Sequence, residues 1–361
     1  MAILDFRGFS ESTAIADFVT YGLIVPLLNG SPDHLFIGAN GTFGDNYLAL
    51  VSTEYQTVQA QMNWTVPTLV PFIGFRMGLK IISHQNPRAA IAFVLMDAAG
   101  NGQVTLSINT TDGSMRVFTG RASNGVQVAS AAPGPFVAGT TRYVEIGANL
   151  SSVNGSVVVR LDGNTVVSVG NVSTVSNGAA PAIQSLMIEN SSAYDGNPGG
   201  SSALILQHMY VNDNTGPAPL NGFLGDVRVT GQAYAAPVST QFAPTGAATN
   251  QAVCATNPPV PATIRNVSTN VGDADVYTMQ PLPPSTTAVF AVGIRTLAAK
   301  DAAGARSLKN TLLSGAVTAS GGVVSLGITP AYVRDNLGVD PGTGGPWTVN
   351  AVNALRPGYV S

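Results

Sequence analysis

Between residues 91 and 119 the chain repeats one pattern: an apolar run, a cluster of turn formers, then strict alternation. Residues 91–96 are continuously apolar, 97–102 are rich in turn residues, and 104–108 (Val-Thr-Leu-Ser-Ile) alternate with a period of two. That period puts every second side chain on one face of a strand. Thr111-Asp112-Gly113 signals a tight turn, and 115–119 alternate again, so the segment predicts a three-stranded antiparallel meander. A second meander follows from Tyr143-Val144-Glu145-Ile146, residues 157–161, the turn Asp162-Gly163-Asn164 and residues 165–169. Residues 185–189, 203–211 and 225–229 complete the strand candidates, and their number favours two packed sheets.

Between about 231 and 261 the periodicity disappears. Ala, Pro, Thr, Gln and Asn dominate there, with Pro237, Pro244, Pro258, Pro259 and Pro261, a composition that predicts a linker. Beyond it, 288–294 and 323–326 read as strands. Residues 296–313 carry helix-forming Ala, Leu, Lys and Arg but are interrupted by Gly304, so helix and strand both stay open; 349–355 suggest a short helical turn stopped at Pro357 and Gly358. The expected fold class is all-β: an antiparallel jelly-roll sandwich over 1–235, a Pro/Ala/Thr-rich linker over 236–262, and a smaller β-rich C-terminal domain over 263–361.

Composition agrees with this division. At 361 residues the chain exceeds what one core usually organises, and its 40 Gly and 23 Pro suit many short strands joined by turns. Charged residues make up only 10%, with three lysines (Lys80, Lys300, Lys309), so neutral polar side chains must cover the surface. A net charge of −3 without a basic cluster argues against nucleic acid as a partner. Asp5, Arg7 and Glu11 interrupt the start, where an export signal needs an unbroken apolar stretch. The apolar runs at 23–28 and 91–96 fall far short of the roughly 20 residues a membrane-crossing helix needs, so a soluble protein without membrane insertion is expected.

Two stretches carry a resemblance. Arg142 to Ile146, followed by Gly155 to Gly163 with its Asp162-Gly163 turn, resembles the concanavalin A-like and laminin-G-like jelly roll. The run from Met209 to Gly216, leading into 221–229, is similar to the jelly-roll segment of tailed-bacteriophage virion structural proteins. In those proteins a carboxy-terminal part follows that 275–277, 298–304, 340–348 and 351–355 resemble. The likeness covers roughly 75–361. It implies a virion location, tail-, neck- or capsid-associated, with other virion proteins as partners and a homo-oligomer, a trimer being the expected form.

Candidate chemistry is sparse. The four glutamates, Glu11, Glu54, Glu145 and Glu189, form no carboxylate array of the kind glycosidic cleavage uses, and each reads as an isolated surface group. His34, His84 and His208 lack metal-ligand spacing, His208 reading as a packed or edge imidazole. Asn212-Asp213-Asn214 offers oxygen ligands for calcium but has the composition of an ordinary turn. The glycine-rich 196–200 and 342–345 lack the Lys-Ser/Thr of a phosphate loop, and Cys254 stands alone, without a disulfide partner. Phe223 and Leu224 read as core residues, Asp226 and Arg228 as neighbours on one strand face, and Trp64 and Trp347 as buried. The Asn-x-Ser/Thr triplets at Asn63, Asn149 and Asn266 are expected by chance in such a chain. No catalytic, cofactor-binding or metal residue is therefore predicted, and no cofactor. The expected function is a non-enzymatic virion component acting through protein–protein contacts. The alternative is a receptor-binding or glycan-binding module that takes a host surface glycan at the loops of the sandwich.

Overall fold

The computed structural model describes residues 3–7, 25–28, 35–38, 47–52, 60–71, 75–84, 90–176, 182–191, 202–213, 215–256 and 259–361. Two compact units result, Met1–Val229 and Thr230–Ser361. The chain is all-β, a jelly-roll sandwich of antiparallel sheets followed by a smaller β-rich unit.

The first unit contains β1 (Ile3–Arg7), β2 (Val25–Leu28), β3 (Leu35–Gly38), β4 (Tyr47–Ser52), β5 (Ala60–Pro71), β6 (Phe75–His84), β7 (Ala90–Met96) and β8 (Gly102–Asn109). Then come β9 (Met115–Thr119), β10 (Val126–Ala131), β11 (Arg142–Asn149), β12 (Gly155–Leu161), β13 (Asn164–Val172), β14 (Ala182–Ser191) and β15 (Ser202–Asp213). Among the described residues one sheet runs β13-β12-β11-β6-β15-β4-β3, with β1 also on β15, and the other runs β10-β9-β8-β7-β14-β5-β2. Both expected meanders form, because each joins adjacent strands through a local turn. In the second, Asp162 and Gly163 have φ of 51° and 80°, the left-handed pair that a two-residue hairpin matching the sheet twist requires. Asp162 also accepts from the Tyr143 amide at 2.8 Å and pairs with Arg142 at 3.0 Å, closing the turn onto β11.

Alternation divides the faces. In β12, Gly155, Val157, Val159 and Leu161 are buried while Ser156, Val158 and Arg160 are half-buried. Val144, Ile146 and Ala148 lie beside that apolar row. The opposing sheet supplies Ile91, Phe93, Leu95, Val104, Leu106, Ile108 and Trp64 to the core, and burial of each such side chain contributes about 1.5–3 kcal/mol. Asn190 of β14 donates to the Leu50 carbonyl of β4 at 2.8 Å, a polar tie from one sheet to the other.

The expected strand at 225–229 does not form. Residues 215–229 instead make a turn over 217–222 and then a strap whose Leu224, Gly225 and Val229 amides bond to side chains of β11 and β15 rather than to a neighbouring strand.

The second unit contains β16 (Tyr234–Ser239), β17 (Ala243–Thr245), α1 (Asn250–Cys254), β18 (Arg265–Val267), β19 (Ala274–Met279), β20 (Val292–Ala298), β21 (Ser307–Ser314), β22 (Val317–Ser320), β23 (Val324–Ser325), β24 (Ala331–Leu337), α2 (Val349–Asn353) and β25 (Arg356–Val360). Its main sheet runs β16-β19-β25-β21-β22, with β23 on β21; β17-β18 and β20-β24 are separate ribbons. Segment 236–262, expected as a linker, is therefore part of the folded unit. Pro237 is tolerated because β16 is an edge strand, where one missing amide costs no ladder bond. Residues 296–313, open to helix or strand, lie mostly in β20 and β21. Trp347, Val352 and Leu355 pack with Ile294 and Leu312 in one core, and Tyr277, Leu308, Val333 and Tyr359 form another.

Candidate functional site

The outward face of the first unit's larger sheet carries an unusual set of groups. Cross-strand register places Arg160, Glu145, Gly78 and Tyr210 in one row over β12, β11, β6 and β15, with Gly147 and Asn212 in the row beside it. Gly78 contributes no side chain, so the Tyr210 phenol crosses that gap and donates to Glu145 Oε1 at 2.6 Å. Glu145 and Tyr210 are fully buried, as are Tyr143, Gln207, His208 and Asn212 around them. The expectation of an isolated surface carboxylate at Glu145 is corrected. A strand reading Tyr-Val-Glu-Ile looks half-exposed, but the strap, distant in sequence, covers its polar face.

The strap is held by its backbone. Gly225 N–H donates to Glu145 Oε1 at 2.8 Å, Leu224 N–H to the Tyr210 hydroxyl at 3.0 Å, and Val229 N–H to His208 Nδ1 at 3.3 Å, while Asn212 Nδ2 donates to the Gly222 carbonyl at 2.8 Å. His208 adopts a φ of 51° at a break in the β15–β6 register between Gln207 and Tyr210. That extra residue is a bulge, a device that re-aims neighbouring side chains. Burial first, then neighbouring Tyr210 and Glu145, pushes the Tyr143 phenol well above its usual pKa, and its hydroxyl donates to the His208 carbonyl at 3.3 Å. Phe223 of the strap is half-buried rather than core, with the Arg160 guanidinium 4.4 Å from its ring centre. Asp226 and Arg228 stand exposed on the strap and not on a strand.

Glu145 Oε2, Arg160 Nε and Asn212 Oδ1 are buried here with no hydrogen-bond partner among the described residues. The first two belong to directly paired residues of β11 and β12. A buried carboxylate oxygen without a donor is costly, so the pair marks a place built for something else.

The second unit contains a different polar centre. Asp275 is fully buried and saturated: Oδ1 accepts from the Gln241 and Phe242 amides at 2.7 and 3.1 Å, and Oδ2 from Asn250, Tyr277 and Tyr359 at 2.8, 2.9 and 2.9 Å. Cys254 lies against it, Sγ 3.7 Å from the Tyr359 hydroxyl and 3.5 Å from Asn266 Nδ2; burial raises its thiol pKa. Burial likewise drives the Tyr277 and Tyr359 phenols far above their usual range. With every acceptor position engaged and the thiol held protonated, this centre ties residues 241–242, α1, β19 and β25 together.

The remaining candidates are dispersed. Asp213 accepts from the amide and hydroxyl of Thr215, and among the described residues no group of three or more His, Cys, Asp or Glu stands close enough to hold a metal ion. Residues 342–345 form a turn around Asp340, which accepts from Ser314, the Gly342 amide and Thr343. Trp64 and Trp347 are buried in their respective units. His34, Glu11, Glu54, Asn214 and 196–200 lie outside the described residues, as does the side chain of His84. Among the described residues no helix is long and apolar enough to cross a membrane.

No family model matches the chain, and no curated protein matches it. Solved structures similar to it include a sialidase, at 14% identity and a TM-score of 0.42, covering 58% of this chain and only 18% of that one. A glucuronan lyase from the fungus Trichoderma reesei matches at 12% identity and 0.43, covering 58% of this chain and 95% of that one. A protein with a galectin-like fold from Bacillus subtilis matches at 10% and 0.37, covering 59% and 96%. At such identities the likeness goes no further than the fold, the jelly-roll sandwich already described. The expectation of a non-enzymatic protein is corrected by these matches. Structures similar to this chain include enzymes, a sialidase and a lyase among them.

Proposed function

We propose that the first unit is a glycan-binding module whose site is the outward face of the larger sheet, around Arg160 and Phe223. The observation that carries this reading is the pairing of a half-buried aromatic ring and a guanidinium with a row of hydrogen-bonding side chains on one sheet face. Sugar rings present apolar C–H faces edged by hydroxyls, and recognising them takes an apolar surface together with donors and acceptors fixed in place. Phe223 supplies the first and Arg160 the second, with Glu145 and Tyr210 buried beneath the strap. The testing experiment is titration of the full chain with defined oligosaccharides by calorimetry. Saturable binding that weakens about tenfold in Phe223→Ala is expected; absence of saturable binding to any glycan overturns the reading.

A second reading rests on a different observation. Val317, Val323, Val324 and Ile328 of the second unit are exposed, Ile328 at 77%, within twelve residues of chain. Exposed apolar side chains of this kind offer surface that another protein can cover. Together with the resemblance over 75–361, this supports a virion component, tail-, neck- or capsid-associated, whose second unit docks on other virion proteins, with a trimer of this chain as the assembled form. Detection of the chain in purified particles checks this, and its absence from them sinks it.

A further inference from the structure

We infer that Glu145 and Arg160 form a clamp for one hydroxyl group of a neutral sugar, reached when strap 215–229 lifts. The inference rests on the glycan-binding reading and names the ligand class for that site. Glu145 is fully buried and satisfied on one side only: Oε1 accepts from Tyr210 and from the Gly225 amide, while Oε2 accepts from nothing among the described residues. Arg160, its direct partner across β11 and β12, buries Nε without an acceptor. One orphan is an acceptor and the other a donor, and they stand on neighbouring positions of one sheet face. These residues nevertheless make no ion pair with each other, the guanidinium being drawn over the Phe223 ring at 4.4 Å.

A single group satisfies both atoms if it donates once and accepts once, and a hydroxyl does so. A carboxylate does not: it offers acceptors only, and beside Glu145 it brings two negative charges together. The site therefore selects neutral hydroxyl-bearing sugars against uronates. A water molecule has the same donor–acceptor chemistry, and the experiment separates the two sources.

The strap is what stands between this clamp and solvent. Its hold on the sheet includes three amide donations, from Leu224, Gly225 and Val229, one accepted bond at the Gly222 carbonyl, and a backbone bond of Val227 to the Tyr143 phenol. Those amides donate to the carboxylate, phenol and imidazole, as sugar hydroxyls do, so ligand and strap compete for the same acceptors. Gly216 and Gly225 take φ of 85° and 80°, conformations that glycine adopts without strain and that give the strap two swivel points.

The test uses the full chain with neutral gluco-oligosaccharides as one probe set and oligogalacturonates as the other, read by calorimetry, with amide exchange of the strap followed by NMR. Expected are binding of the neutral set only, a loss of about tenfold or more in Glu145→Gln, and faster exchange of the Leu224, Gly225 and Val229 amides when sugar is bound. Glu145→Gln keeps an oxygen for the Tyr210 and Gly225 donors but places an NH2 where Oε2 was, so the fold is retained while the clamp loses its acceptor. Glycan binding that falls in Phe223→Ala but not in Glu145→Gln, with strap amides still protected, overturns the clamp, assigns the two orphan atoms to water and leaves the glycan-binding reading standing. Tighter binding of the acidic set also overturns it. No binding of either set overturns both.

Discussion

A buried carboxylate is decided by how many donors reach it, and Asp275 and Glu145 differ in that respect. Asp275 collects five hydrogen bonds from four surrounding segments, and Glu145 collects two, both at one oxygen. Removing Asp275 strands the Asn250 amide and the Tyr277 and Tyr359 hydroxyls in a dry interior. Asp275→Ala is accordingly expected to cost about 3 kcal/mol or more, read as a fall in the urea midpoint of the second unit. Acid exposes a second residue-scale effect. At Asp340 burial opposes ionisation, but bonds from Ser314, the Gly342 amide and Thr343 outweigh it and bring the carboxyl below its ordinary 3.8. A folded value below the unfolded one means that its stabilisation is complete above pH 3.8 and is lost as pH falls through the lowered value. Asp340→Asn is therefore expected to be less stable than the parent at pH 6 and to lose less than the parent on further acidification to pH 3, measured as urea midpoints at both pH values. Neither acid's surroundings are legible in sequence, since their donors come from residues as far apart as Glu145 and Gly225, or Asp275 and Tyr359.

At the level of elements, what can be read locally is what forms locally. β7 is one apolar run, β8, β9 and β12 alternate in sequence, and turns whose glycines announce them join these strands to β11 and β13, so the sequence locates all six within about three residues. Residues 225–229 alternate just as cleanly and still fail to form a strand, because their amides find side-chain acceptors on a sheet face. The Pro-rich 236–262 hides an edge strand and a short helix, since an edge position and a Thr249 cap tolerate what a central strand does not. Turn chemistry makes a sharper prediction. Gly113 and Gly163 both have positive φ, 72° and 80°, so an alanine at either carries the left-handed strain of about 1–2 kcal/mol. At Gly163 the added Cβ meets open space, but at Gly113 it runs into the Phe136 carbonyl, which belongs to fixed backbone. Gly113→Ala is expected to lower the thermal midpoint clearly more than Gly163→Ala, and equal shifts would mean that the 133–137 segment yields at little cost.

For the molecule as a whole, the two units each own one tryptophan: Trp64 is in the core of the first, and Trp347 is buried in the second with its indole N–H donating to the Leu337 carbonyl at 2.8 Å. Because these are the only two in the chain, single-tryptophan variants make each unit report on itself. In Trp347→Phe the remaining fluorescence follows the first unit, and in Trp64→Phe the second. Each unit has its own sheets and its own buried clusters, the arrangement that permits separate unfolding. Placing Asp275→Ala in both backgrounds is then decisive: the Trp347 signal is expected to shift to lower urea while the Trp64 signal keeps its midpoint. A common shift of both signals would mean that the units unfold as one. A glycan acting on the first unit would then stabilise the second as well, whereas independent units confine a bound sugar's effect to the Trp64 transition. The same two variants, titrated with neutral oligosaccharide, thus locate the ligand on one unit or the other without any assumption about how the units are arranged.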